Sequence, residues 1–451
     1  MTTGEEMTER KYFSTIEILL ILLCFTICLA GALLLPAGQC PDEEGRLLLT
    51  GWIVNTGTLP TGNEQEVMIP GWGYSYALYP YLSSMVGAVF VRAAMLFTSS
   101  SRTLLAAARM CSVLSVTGCC IFCLMLGHRL FEKRGSAVLF ASVVCFLPQV
   151  LFLGMYHNND SPSLFAVCMM LYCLVEGYER KWPVKSCVGL ALAFSIGLLS
   201  YYSIYGWILM SAVFCVLAVL TDPEIQNKNR LILKRAALIA GLCLLLAGWF
   251  FLRGAILHDG DFLGIAYEEV SRHRLEEKGY ILFPYIDFRR EGLSVWAFLC
   301  RKQFQWILVT AGSFVGCFGN MAYYLPMAAY GVYAAILALG ALLYLILYFR
   351  RRPCLRDRLL LLVMTVSVGI NLALHFWQSY TRDYQPQGRY MISAIVPLAY
   401  MLSCGMDKIG PLVLEKKNEK RASADPAYVL TLIWLLLFSW ACLGTMTKML
   451  P

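Results

Sequence analysis

The chain has 451 residues, of which 59% are hydrophobic and only 15% are charged, and its mean hydropathy is +0.62. Because a soluble domain carries about 25% charged residues, this composition excludes a soluble globular protein and indicates an integral membrane protein. The formal net charge of +8 is attributed to Lys and Arg on cytoplasmic loops, so it does not indicate a nucleic-acid partner. The chain contains no low-complexity tract or short-period repeat, which predicts one membrane domain over residues 1–451.

Apolar runs recur along the chain at about the 20-residue length that a transmembrane helix requires. The first run is too long for a signal-peptide core and lacks a small-residue cleavage pattern, so we expect a retained anchor. The sequence predicts an all-α polytopic membrane protein with about eleven transmembrane helices, at 15–37, 104–127, 136–155, 162–178, 186–200, 203–220, 232–252, 327–349, 359–378, 390–406 and 428–447.

Basic clusters between these runs indicate the orientation of the chain. The five clusters begin at Arg129, Arg180, Lys228, Arg350 and Lys408. All five lie on the cytoplasmic side if the N-terminus is cytoplasmic, as the positive-inside rule requires. This count holds only if two further apolar stretches, 74–97 and 306–324, lie at the interface or re-enter the membrane without crossing it.

The same topology leaves two long loops outside the cytoplasm, at 38–103 and 253–326. We expect interfacial helices in the first loop, because tyrosines cluster at the start of 74–97 and Arg92 interrupts its apolar run. Polar segments collect on this outer face, whereas the cytoplasmic loops are basic. The chemistry of the protein is therefore expected on the outer face.

Three adjacent carboxylates, Asp42, Glu43 and Glu44, follow the first apolar run and Pro41. Charge so close to the hydrocarbon is costly, and it often marks a functional site. The same residues also suit the first turn of a short interfacial helix, where Pro and acidic residues are favoured. Asp42 and Glu43 are thus candidate catalytic residues, and a structural role remains the alternative.

Further polar motifs follow in a fixed order on the predicted outer face, and together they resemble the GT-C superfamily of membrane glycosyltransferases. The motifs are Pro41-Asp42-Glu43 with Gly57-Thr58-Leu59-Pro60, His157-Asn158-Asn159-Asp160, Arg253 with Gly260-Asp261-Phe262-Leu263-Gly264, Ser313-Phe314-Val315-Gly316-Cys317-Phe318-Gly319, and Gln387-Gly388-Arg389-Tyr390. The later motifs are similar to those of a bacterial branch of the group. The chain does not carry the large soluble C-terminal domain of oligosaccharyltransferases, so we do not expect it to recognise a peptide sequon.

The resemblance implies an enzyme of the bacterial plasma membrane that transfers a sugar from a polyprenyl-phosphate donor, with inversion at the anomeric carbon. The acceptor would be a cell-wall polymer, a lipid-linked glycan or a protein. Asp42 is the first candidate for the general base, a role that contributes about 10²- to 10⁴-fold in rate. Alternatively, Asp42 and Asp160 ligate Mg²⁺ or Mn²⁺, with His157 as a weaker third ligand. Helix capping is the alternative explanation for Asp160, because Ser161-Pro162 follow it.

Arg389 is the first candidate ligand for the donor phosphate, because a guanidinium presents paired donors that match phosphate oxygens. Gln387, Tyr390 and Arg253 are further candidates on the same face. An arginine at the mouth of a span that only fixes topology is the alternative.

A transporter or a flippase for lipid-linked glycans is the rival class of function. Transporters place charged or broken-helix sites near the bilayer midplane and commonly show internal repeats. The predicted spans contain few ionisable residues, and the two halves of the chain show no repeat. The sequence therefore favours an enzyme over a transporter.

Overall fold

The computed structural model describes residues 12–351, 353–414 and 425–449, and its regular structure is almost entirely helical. The helices are α1 (Thr15–Leu34), α2 (Glu43–Thr56), α3 (Leu82–Met95), α4 (Ser101–Leu130), α5 (Arg134–Cys145), α6 (Pro148–Leu153), α7 (Asp160–Glu179), α8 (Val184–Leu198), α9 (Tyr205–Thr221), α10 (Lys228–Cys243), α11 (Trp249–Leu257), α12 (Ile265–Glu277), α13 (Val295–Val315), α14 (Met327–Arg351), α15 (Leu355–Thr381), α16 (Ile395–Leu414) and α17 (Pro426–Met446). A π-helical turn at Leu244–Gly248 joins α10 to α11. Short 3-10 helices lie at Gln65–Val67, Tyr76–Leu78, Tyr202–Ile204, Gly388–Ala394 and Thr447–Met449.

Within the described residues, nine helical segments are long and apolar enough to cross a membrane. They are Thr15–Leu34, Ser101–Leu130, Asp160–Glu179, Tyr202–Thr221, Lys228–Leu257, Met327–Arg350, Leu355–Thr381, Gly388–Lys408 and Pro426–Met449. These nine coincide with nine of the predicted spans, which confirms an all-α polytopic membrane protein. The other two predicted spans, 136–155 and 186–200, contain the shorter apolar helices α5 and α8. The first is split because Pro148 begins a new short helix, α6.

Neither of the two stretches predicted not to cross forms a long apolar helix. The first contains α3, whose 14 residues reach only about 21 Å, less than the thickness of the hydrocarbon core. In the second, α13 ends at Val315 and a two-stranded antiparallel hairpin follows, with β1 (Cys317–Phe318) paired to β2 (Tyr323–Tyr324). Helix α13 is itself interrupted at 301–304, where the backbone is not helical.

The centre of the bundle is built around α4, which packs against α1, α3, α5 and α7. Its buried face consists largely of small residues and thiols, which allow close approach of neighbouring helices in a membrane protein. Helix α10, in contrast, has no buried residue. Because lipid solvates an apolar surface, such a helix suits the periphery of a membrane bundle.

Ion pairs join helix ends at the basic end of the bundle. Arg129 at the end of α4 contacts Glu176 at 3.2 Å and Glu179 at 2.6 Å, and Arg356 contacts Glu179 at 2.8 Å. These residues lie in or beside the basic clusters of the sequence, so the clusters also tie α4, α7 and α15 together.

Candidate active site

Asp42 lies immediately before α2, in the connection that follows α1. Its backbone is left-handed, with φ of 61° and ψ of −1°, and its side chain makes no capping hydrogen bond. Asp tolerates this conformation better than most residues, but a non-glycine residue held there is often part of a functional site. The side chain is 29% exposed, so the carboxylate is accessible from one side.

Arg389 contacts the Asp42 carboxylate directly. It lies in the 3-10 helix at Gly388–Ala394, and its side chain is only 3% exposed. Its Nη2 donates to Asp42 Oδ2 at 2.5 Å and to the Tyr390 hydroxyl at 3.0 Å. Its Nη1 lies 3.8 Å from Asp160 Oδ2, and its Nε has no partner among the described residues. One buried guanidinium is thus shared by two carboxylates.

Gly388 fixes the position of this arginine by a close backbone contact. A Cβ at this position would lie 2.1 Å from the backbone N of Phe314 and 2.3 Å from the backbone O of Thr310. The Gly388 N–H also donates to Ser313 Oγ at 2.7 Å. The motif at 313–319 therefore supports the motif at 387–390 directly.

Asp160 is the first residue of α7, and its carboxylate is 4% exposed. The neighbouring Asn158 takes the local capping role, because its Oδ1 accepts from the Ser161 N–H and from Ser161 Oγ, both at 2.9 Å. Asn158 thus contributes to the cap of α7, and the Asp160 carboxylate faces Arg389.

Glu43 follows Asp42 but points into a different environment. It is fully buried and paired with Arg109 of α4, whose Nε donates to Oε1 at 2.8 Å and whose Nη2 donates to Oε2 at 2.7 Å. The backbone N–H of His157 also donates to Oε1 at 2.8 Å. The Arg109 Nη1 donates to the carbonyls of Ala32 and Leu35 at the end of α1. This pair joins four chain segments.

His157 is held away from the two aspartates. Its Nε2 lies 3.2 Å from Thr50 Oγ1 and 3.2 Å from Ser84 Oγ, and the side chain is fully buried. Burial, followed by the charge of Arg46, lowers the pKa of His157 to about 3. The imidazole is therefore neutral and serves here as a hydrogen-bonding group.

Of the other phosphate-site candidates, only Tyr390 touches Arg389. The Tyr390 ring lies parallel to that of Tyr201, with centroids 6.0 Å apart. Arg253 donates to the carbonyls of Leu59 and Pro60, which fixes the loop after α2. Gln387 donates through Nε2 to Gln385, outside this cluster.

Two residues near Asp42 were not among the predicted site residues. Tyr76 lies near the Asp42 carboxylate, and the Arg46 guanidinium lies 4.6 Å from the centre of the Tyr76 ring. Burial raises the pKa of Asp42, but the charges of Arg389 and Arg46 and the hydrogen bond from Arg389 outweigh this effect. The pKa of Asp42 is therefore below its ordinary value, and the group is a carboxylate at neutral pH.

The donor set does not fit Mg²⁺ or Mn²⁺ as it is arranged. In the part of the chain that the structure describes, no three His, Cys, Asp or Glu side chains form a potential metal site. The guanidinium of Arg389 lies between Asp42 and Asp160, where a dication would otherwise bind, and His157 is engaged elsewhere. Divalent metals need several oxygen ligands without a competing cation.

No protein-family model matches the chain, and no curated protein matches it by sequence. The fold of the chain, however, is similar to the folds of solved structures of an oligosaccharyltransferase and of ArnT. This similarity confirms the resemblance at the level of the fold.

One similar solved structure is the oligosaccharyltransferase AglB from Archaeoglobus fulgidus in complex with an inhibitory peptide and a dolichol-phosphate. It has a TM-score of 0.51 and 12% sequence identity, over 97% of this chain and 56% of that chain. Another is ArnT from Cupriavidus metallidurans bound to undecaprenyl phosphate, with a TM-score of 0.53 and 14% identity, over 96% of this chain and 72% of that chain. The chain thus spans little more than half the length of the oligosaccharyltransferase.

Proposed function

We propose that this protein is a membrane glycosyltransferase that moves a sugar from a polyprenyl-phosphate donor to an acceptor outside the cytoplasm. The observation that carries the proposal is the buried Arg389, which is flanked by Asp42 and Asp160 at one end of a helical bundle with the GT-C fold. An anion-binding group beside an accessible carboxylate is what sugar transfer from a lipid phosphate requires.

In the proposed reaction, Asp42 accepts the proton of the acceptor hydroxyl. Its carboxylate is ionised and partly exposed, and it lies at a fixed depth just beyond the end of α1. The hydroxyl oxygen forms a bond to the anomeric carbon while the bond from that carbon to the phosphate oxygen breaks. Attack from the face opposite the phosphate gives inversion.

Arg389 binds the departing polyprenyl phosphate, which takes the electron pair of the broken bond. Preorganised positive charge is most effective where negative charge develops in a site that excludes water. Before the donor binds, Arg389 is hydrogen-bonded to Asp42. When a phosphate takes part of this interaction, Asp42 loses part of its counter-charge and becomes a stronger base. Donor binding would thereby activate the base.

Two features of the fold suggest supporting roles for the remaining candidates. Asp160 lies 3.8 Å from Arg389 and holds the guanidinium from its second side. Glu43, which is fully buried against Arg109, sets the position of Asp42 through the backbone and does not meet substrate. We assign no catalytic step to a metal ion, because the guanidinium of Arg389 stands between the two aspartates.

We further propose that the site faces outward from a bacterial plasma membrane and that the N-terminus is cytoplasmic. The support is the separation of charge along the bundle: the basic clusters and their ion pairs lie at one end, and the Asp42 site lies at the other. Acceptors on that side include a cell-wall polymer, a lipid-linked glycan or a protein.

A membrane assay that follows the donor alone tests the proposal, whatever the acceptor is. Membranes that contain the protein are incubated with a panel of undecaprenyl phosphates, each carrying a different labelled sugar, and label that leaves the donor lipid is measured. We expect the wild-type protein to release labelled sugar from one or a few donors. The double variant with Asp42→Asn and Arg389→Gln should release none. The matched control is Glu44→Gln, which neutralises the exposed neighbouring carboxylate. Equal release by the double variant and the wild type would refute the proposal.

A further inference from the structure

Arg46 lies one helical turn after Asp42 on α2, and its N–H donates to the Asp42 carbonyl at 3.2 Å. Residues four positions apart on a helix share a face, so Arg46 is directed to the same side as the candidate base. The residue is only 4% exposed. Arg46 is therefore a buried cation beside the proposed site.

The guanidinium of Arg46 makes no hydrogen bond or ion pair with any residue in the described ranges, and its Nε is buried without a partner. Within the described ranges, the guanidinium contacts the face of the Tyr76 ring, 4.6 Å from its centre. Such a contact stabilises a cation by much less than the cost of removing an isolated charge from water. Buried polar groups in folded proteins are normally satisfied, so this one requires an explanation.

Other buried arginines at this end of the bundle show what a purely structural arginine looks like. Arg109 directs its nitrogen atoms at Glu43 and at backbone carbonyls, and Arg272 donates to the carbonyls of Trp72 and Phe283. Arg46 has no such acceptor among the residues that the structure describes. The difference indicates that its acceptor is a bound ligand.

Arg46 and Arg389 act electrostatically on the same groups. The charges of both arginines reach Asp42, Asp160 and Tyr201. Each of the two guanidinium groups also has a buried Nε without a partner among the described residues. A tetrahedral phosphate has enough oxygen atoms to accept hydrogen bonds from two guanidinium groups at once.

We propose that Arg46 is a second phosphate-binding arginine, which holds the phosphate of the lipid donor jointly with Arg389. This inference rests on the proposed function and adds a binding residue to it. Arg389 carries the interaction with Asp42, whereas Arg46 contributes positive charge that no carboxylate neutralises by direct contact. The donor phosphate supplies the missing acceptor.

Binding of undecaprenyl phosphate to the purified full-length protein in detergent tests this role directly. We expect Arg46→Gln to weaken binding by about 10- to 100-fold, the loss of a hydrogen bond between charged groups. Arg46→Lys should recover part of the affinity because it restores the charge. The matched control is Arg92→Gln, which removes the same charge from an exposed arginine at the same end of the bundle. Thermal unfolding of each variant separates lost binding from lost folding.

A competitor and a second ligand identify the chemical group that Arg46 recognises. Inorganic phosphate should displace undecaprenyl phosphate from the wild type and should do so less well from Arg46→Gln. Undecaprenol, which lacks the phosphate, should bind both proteins equally. If undecaprenol binding depended on Arg46 as strongly as undecaprenyl phosphate binding, recognition of phosphate by Arg46 would be refuted.

The outcomes distinguish this inference from the proposed function. If folded Arg46→Gln bound undecaprenyl phosphate like the wild type while Arg389→Gln lost binding, Arg46 would not be a phosphate ligand and the proposed function would stand. If the wild-type protein did not bind undecaprenyl phosphate at all, both would be refuted.

Discussion

Two arginine–carboxylate pairs stand side by side in this protein, formed by the consecutive residues Asp42 and Glu43. The Glu43–Arg109 pair is fully buried, and hydrogen bonds to carbonyl and amide groups surround it. The Asp42–Arg389 pair is open on the Asp42 side, where the carboxylate is 29% exposed, and the Arg389 Nε has no partner in the described ranges. The guanidinium and carboxylate groups of the first pair have used their hydrogen-bonding atoms, whereas the second pair keeps an unused donor and an exposed carboxylate.

This difference separates structural charge from charge that is available for chemistry. A buried ion pair whose other polar atoms are all satisfied can only hold segments together, because no hydrogen-bonding capacity remains for a ligand. A pair with an exposed carboxylate and an unused donor can exchange partners with a substrate. Asp42 and Glu43 lie equally close to the membrane, so their position does not distinguish their roles. The number of unused hydrogen-bonding groups in each pair does.

The largest effect should follow from breaking the Glu43–Arg109 pair. Glu43→Gln leaves Arg109 without its counter-ion in a fully buried position, which costs about 3–5 kcal/mol of stability. We expect a strongly lowered Tm in detergent and poor expression, with Glu44→Gln close to wild type. A Glu43→Gln protein with wild-type Tm but no transferase activity would instead place Glu43 in the chemistry.

Asp42→Asn should produce the opposite pattern, with loss of activity and little loss of folding. Asn tolerates the left-handed backbone and keeps a hydrogen-bond acceptor for Arg389, but it cannot take a proton. We expect transfer to fall by at least about 10²-fold at saturating donor, measured as label moved per minute. Near-normal turnover in the Asn variant would assign Asp42 to structure.

Arg389→Lys should have a smaller effect that falls mainly on the donor. The positive charge remains, but the planar contact of two N–H groups with the phosphate is lost. Because a hydrogen bond to a charged group contributes about 1.5–3 kcal/mol, we expect kcat/KM for the donor to fall by about 10- to 100-fold. Arg389→Ala should be worse. Unchanged kinetics in both variants would exclude Arg389 from phosphate binding.

The pH dependence of transfer should report the Asp42–Arg389 contact. Because Arg389 lowers the pKa of Asp42, the carboxylate form is favoured in the folded protein. The contribution of this ion pair to the stability of the folded protein is present above the ordinary pKa of Asp. It is lost as the pH falls through the lowered pKa of Asp42. We expect the acid limb of kcat/KM to lie below the ordinary Asp range in the wild type and to move to higher pH in Arg389→Gln. An unmoved limb would mean that another group titrates.

The smallest effect is expected from removing divalent metal ions. Since Arg389 occupies the space between Asp42 and Asp160, EDTA should leave the transfer rate of the wild type unchanged within a factor of about two. Loss of activity in EDTA, restored by Mg²⁺ or Mn²⁺ alone, would show that the two aspartates rearrange around a metal.

Much of the fold could be predicted from the sequence, because membrane spans depend on local composition. Nine predicted spans coincide with long apolar helices, and the stretches 74–97 and 306–324 contain no helix long enough to cross. The exceptions have local causes. Pro148 divides 136–155 into two short helices, and α8 is only 15 residues long.

The candidate site could be predicted only in part, because partner choice depends on tertiary contacts. The structure brings Asp42, Asp160, Arg389 and Tyr390 together, but sequence reasoning placed Glu43 beside them because it is adjacent in the chain. Two arginines of this region, at positions 109 and 46, were missed. An arginine inside the apolar run 104–127 was a usable signal, since ionisable residues within spans are rarely incidental. The spacing of four residues after Asp42 was another.

The contact of Gly388 with α13 has an evolutionary consequence. No side chain fits at position 388 while the backbone atoms of Thr310 and Phe314 lie where they do, since a Cβ would approach them to 2.3 Å and 2.1 Å. Backbone atoms cannot give way as a flexible side chain can, so substitutions elsewhere in the packing have little power to compensate. Among descendants of this gene that keep the site, Gly388 should remain unchanged while the adjacent Gln387 drifts.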